Sequence, residues 1–145
     1  MNNAKASRAR QDLLKTEKAR QRFIQLLLRA GVMVQGSFVT LGRKCGKPTC
    51  RCVSGEKHYG KYLSRSEGGR TRLVFVPAGN EVTIAKKSEE YRRFREARAE
   101  LMKLATQTAE LADQLQETLT EAYGPDPRKR VTKAKAGKSD GNGAS

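Results

Sequence analysis

Three cysteines and the chain's single histidine are gathered in one short stretch: Cys45-Gly46-Lys47-Pro48-Thr49-Cys50-Arg51-Cys52, and then His58. Thiolates a few residues apart on a Gly- and Pro-containing knuckle reach a common tetrahedral ion without strain. Three sulfurs leave one corner, and His58 supplies an imidazole for it. A Cys3His set of Cys45, Cys50, Cys52 and His58 is closed, which makes it a structural zinc site rather than a catalytic one. Cys50 and Cys52 are two apart, so on a strand both side chains would point the same way. The alternatives are a redox-active thiol cluster, buried apolar cysteines and a histidine that is merely hydrogen-bonded at the surface.

A chain of 145 residues with 37% hydrophobic and 6% aromatic residues, and no tryptophan, builds one small core. Stability then has to draw on a metal, a partner chain or long helices. With three cysteines at least one thiol has no internal partner, and metal binding in a reducing cytoplasm is the simpler reading. No apolar run approaches the roughly 20 residues that cross a bilayer. The best stretch, from Phe23 to Val34, is broken by Gln25, Arg29 and Gly31, so it is read as neither anchor nor signal peptide.

The predicted fold class is α+β. Residues 1–31 read as a basic amphipathic helix: Ala19, Phe23, Leu26, Leu27 and Ala30 share one face, with Lys15, Lys18, Arg22, Gln25 and Arg29 largely opposite and Arg20 at the edge. Met1 to Ser7 lack large apolar anchors and are expected to fray. Residues 32–79 form the zinc-knuckle head, a β-hairpin or three-stranded antiparallel sheet. It has one strand near Ser37 to Leu41 and two more, Lys61 to Ser66 and Thr71 to Val76, around the tight turn Glu67-Gly68-Gly69-Arg70. Pro77 ends the pairing.

Residues 80–123 read as a long helix, with Ser88-Glu89-Glu90 as a cap or a hinge inside it. Phe94, Ala97, Leu101, Leu104, Thr108, Leu111, Leu115, Thr118 and Ala122 follow a seven-residue repeat. That stripe needs a partner: either the first helix of the same chain or a second copy in a homodimeric coiled coil. Gly124, Pro125 and Pro127 stop the helix, and residues 124–145 have the composition of a disordered basic tail.

The net charge of +15 is spread unevenly. Residues 30–79 hold nine Lys and Arg against two acids, whereas residues 80–123 are slightly acidic. Arg43, Lys44, Lys47, Arg51, Lys61, Arg65, Arg70 and Arg72 crowd around the cysteine cluster and hairpin, and a clamped head would present many of them as one patch. Such a field draws polyanions by counterion release. Nucleic acid is the expected partner, DNA ahead of RNA, and no membrane is expected.

The residues Lys44-Cys45-Gly46-Lys47-Pro48, Cys50-Arg51-Cys52, His58, Tyr62-Leu63-Ser64, Gly69-Arg70-Thr71-Arg72 and Val76-Pro77 carry a resemblance. Over about residues 36–122 the chain resembles an uncharacterised family of small bacterial proteins often encountered beside transposase and integrase genes. Its pattern runs K-C-G-K-P-x-C-R-C, a short spacer, H-G-P-Y, a hairpin and a long C-terminal helix; here His58-Tyr59-Gly60-Lys61 stands for H-G-P-Y. The resemblance implies a DNA-binding accessory of transposition or recombination, with a recombinase or transposase as protein partner. An RNA- or ribosome-associated module is the alternative. A thiol redox protein or zinc hydrolase is the weakest reading, because the one histidine is taken by metal and the head offers only Glu56 and Glu67 as acids or bases. No catalytic residue is assigned.

Overall fold

The computed structural model describes residues 3–126. Helix α1 spans Asn3–Leu28, strands β1, β2 and β3 span Ser37–Arg43, His58–Glu67 and Arg70–Phe75, and helix α2 spans Glu81–Leu119. Short 3-10 turns at Arg51–Val53 and Ala78–Asn80 lead into β2 and α2. The strands make one antiparallel sheet in the order β1-β2-β3, so the α+β class and the three-stranded head are as expected. Gly68 and Gly69 take φ of +54° and +78° in the β2–β3 turn, where a side chain would be strained. No helix among the described residues is long and apolar enough to cross a membrane.

The heptad stripe of α2 finds its partner within the chain. α1 and α2 pack as an antiparallel pair. At one end the Gly31 amide donates to Glu90 Oε1 at 3.1 Å and the Val34 amide to the Lys87 carbonyl at 3.1 Å. At the other, Lys5 and Asp12 line one cleft with Gln114 and Glu117. Ala97 and Leu111 of the stripe are buried.

The first turns of α1 differ from expectation. The helix is described from Asn3, with Ala6 fully buried and Ala9 nearly so, where fraying to Ser7 was expected. Alanine's small side chain lets two helices approach closely, and that packing replaces large apolar anchors. The buried line runs Ala6, Ala9, Thr16, and Leu26, placed on the apolar face by periodicity, is 58% exposed. α2 stops at Leu119 rather than Tyr123. Thr120 leaves the helical region, and its amide and hydroxyl both donate to the Gln116 carbonyl, which ends the ladder there. The expected basic tail lies outside the described residues from 127 onward.

Ser88 is neither cap nor hinge. It lies inside a continuous helix, 5% exposed, with its hydroxyl donating to the Gly36 carbonyl at 2.7 Å and accepting the Phe38 amide at 3.1 Å. Those are outward-facing backbone groups on the free edge of β1, so one hydroxyl docks the sheet edge onto α2. Ser88→Ala strands both groups, and a loss of about 1–3 kcal/mol in urea unfolding is expected. A change below about 0.5 kcal/mol, the range of ordinary surface substitutions, would contradict this role.

Candidate metal centre

The β1–β2 ladder brings the cluster together. Its register pairs Arg43 with His58, so the last residue of β1 faces the first of β2, and residues 44–57 loop out between them. Gly46, at φ +79°, turns the chain sharply just after Cys45. The Cys50 amide then closes a turn on the Lys47 carbonyl at 3.2 Å, and the 3-10 turn Arg51–Val53 follows. Cys50 and Cys52 therefore sit at the mouth and middle of a helical turn, not on a strand; Pro48 and the tight turn leave no extended segment in which side chains alternate.

All four ligand atoms, the sulfurs of Cys45, Cys50 and Cys52 and a ring nitrogen of His58, lie within 4.8 Å of one another. Zinc–sulfur bonds of about 2.3 Å in a tetrahedron imply ligand separations of about 3.8 Å. The Cys45 and Cys52 sulfurs are 3.4 Å apart, and Cys50 Sγ is 3.1 Å from His58 Nε2. No disulfide joins the three thiols. Cys52 is buried at 1% exposure, and the Cys45 amide donates to its sulfur at 3.4 Å. Cys50 is half-buried, whereas Cys45 and His58 are exposed. The donor set and its spacing fit a divalent soft or borderline metal, held on one side by the buried Cys52 and on the other by surface ligands.

By strand alternation Arg43 lies on one face of the sheet and Lys61, Arg65, Arg70 and Arg72 on the other. Lys44, Lys47 and Arg51 lie on the metal loop, all exposed and, among the described residues, without an ion-pair partner. Arg43 lays its guanidinium over the Tyr62 ring at 5.3 Å, and Lys61 donates to Thr40 Oγ1 at 2.6 Å across the strands. Arg65 and Arg72 both bridge to Glu67, at 2.6 and 3.0 Å, beside Arg70 at the hairpin turn. The Arg72 hydrogen bond, with the charges of both arginines, holds the Glu67 carboxyl below its ordinary pKa. Two of the eight cations are thus partly neutralised by Glu67, whereas the three on the metal loop are not.

Two structural features escaped the reading of the sequence. Ser88 carried a signal, a lone polar residue in the stripe Ile84-Ser88-Tyr91 at helical spacing. The Arg43–Tyr62 stack carried none, because it depends on a register between distant strands.

No curated protein and no solved structure matches the chain. A family model does match, over residues 8–86, taking in most of α1, the whole sheet and metal loop, and the first turns of α2. The match adds α1 to the region that the sequence motifs delimited, leaves out most of α2, and covers more than half of the chain, which therefore belongs to the family described as Domain of unknown function (DUF6788).

Proposed function

We propose that the chain is a zinc-stabilised nucleic-acid-binding protein, with DNA its favoured target, and that it binds without catalysing a reaction. The carrying observation is the convergence of Cys45, Cys50, Cys52 and His58 at the open end of the sheet, on a loop whose exposed cations are Lys44, Lys47, Arg51 and Lys57. Zinc bound there holds these positive charges at set spacings, the requirement for registering on a phosphate backbone. Net charge of +15 supplies the long-range attraction. The absence of a catalytic role rests on the acids and bases of the head: His58 is in the ligand set, Glu67 is engaged by Arg65 and Arg72, and Glu56 is a lone exposed carboxylate on the loop. A place beside a recombinase or transposase rests on the family resemblance alone.

The test is fluorescence anisotropy of a labelled DNA duplex over a salt series. Affinity is expected to fall linearly in log–log form, and the triple variant Lys44→Ala, Lys47→Ala, Arg51→Ala to lower the slope by about 2–3. Binding indifferent to salt, or a slope unchanged by the variant, contradicts the proposal. Stronger competition by a structured RNA than by the duplex would reassign the target.

A further inference from the structure

One sheet face carries an aromatic pair that the metal loop does not use. The register Val39–Tyr62–Phe75 puts these three side by side on it, and strand alternation adds Leu41, Arg43 and Leu73. Phe75 is 60% exposed, its ring centroid 5.7 Å from that of Tyr62 at an interplanar angle of 68°. A Cβ on Gly60 would come within 3.1 Å of the Tyr62 ring and 3.5 Å of the Phe75 ring, so both lean across bare backbone along the sheet surface. By the same alternation no strand carboxylate points to this side, while Arg43 stacks on Tyr62 and leads directly into Lys44 and the metal loop.

The geometry points to a platform for unpaired nucleotides: bases of single-stranded DNA stack at Phe75 and Tyr62 while Arg43 and the metal loop hold the phosphates. This rests on the nucleic-acid reading above and specifies which part of the ligand the sheet takes. Bases offer flat π-faces to the exposed Phe75 ring and the half-buried Tyr62 ring beside it, and an anionic backbone matches a rim in which Arg43, Lys44, Lys47, Arg51 and Lys57 outnumber the one acid of the loop, Glu56. A second copy of the chain is a poorer occupant, since apposing two such faces brings together two surfaces that each carry Arg43 and no strand carboxylate.

The zinc-loaded full chain, Phe75→Leu and Phe75→Tyr are compared for binding to a fluorescein-labelled oligothymidine of about 15 nucleotides and to a duplex of equal length. Phe75→Leu keeps the apolar volume and loses the ring. It is expected to weaken single-strand binding roughly 5- to 100-fold and duplex binding by less than about two-fold, with Phe75→Tyr close to wild type. Unchanged oligothymidine affinity, or an equal loss for both probes, overturns the platform, as does a dimer in sedimentation that Phe75→Leu dissociates. Salt-dependent duplex binding that survives such a result leaves the charge reading standing; a wild-type protein that binds neither probe at low salt removes both.

Discussion

Cys52→Ser is expected to leave the protein without bound metal after dialysis and to release the loop of residues 44–57, while the helical pair stays folded. Cys52 is 1% exposed, and its sulfur lies against both the amide and the sulfur of Cys45. A hydroxyl there is a poor zinc ligand and shorter than the thiol, so the ion keeps three donors at best. Structural zinc contributes about 10–16 kcal/mol to small metal domains, and losing one thiolate of four removes enough of this to empty the site. Residues 44–57 then span the β1–β2 connection with only the turns around Cys50 to order them. Amide hydrogen exchange is expected to rise through that loop and into Arg43 and His58, with helical circular dichroism retained; wild-type protein treated with chelator should show the same pattern. Full zinc content in Cys52→Ser would contradict the assigned ligand set.

Leu63→Ala is expected to destabilise the fold by about 2–5 kcal/mol, whether or not metal is bound. Leu63 is 5% exposed at the centre of β2, paired with Phe38 on one side and Val74 on the other. Its side chain fills the space beside Gly36, where a Cβ would stand only 3.1 Å from Leu63 Cγ. Truncation leaves a cavity between the sheet and the segment that docks on Ser88, and collapse there would pull β1 off its register. Against the 5–15 kcal/mol typical of small domains this is a large fraction, visible as a lower midpoint in urea with and without chelator. Leu14→Ala, at a side chain 65% exposed, should move the midpoint by less than about 0.5 kcal/mol. Equal effects at the two leucines would show that the sheet core is not where the burial places it.

Local chemistry made much of the molecule readable from its residues. The Gly68-Gly69 turn, the β-branched and aromatic strands and the close spacing of the four ligands each state a preference within a few residues, and the structure follows them. Non-local pairing was less visible. Nothing near Arg43 announces His58 as its cross-strand neighbour, and that pairing is what closes the metal loop. The alanines of early α1 have too little hydropathy to mark a buried face, although their small size is what allows the close contact. Ser88 looked like punctuation because serine usually caps helices; here its hydroxyl is used across the fold by β1. Ion pairing of Arg65 and Arg72 with Glu67 was hidden for the same reason, since counting charges does not show which of them face each other.

The most direct test is zinc K-edge X-ray absorption on the purified full-length protein, with metal content measured on the same sample. One zinc per chain with three sulfur neighbours and one imidazole nitrogen is the expected result. A protein that is metal-free yet keeps residues 44–57 protected from exchange, or a zinc bound by oxygen and nitrogen alone, would contradict it.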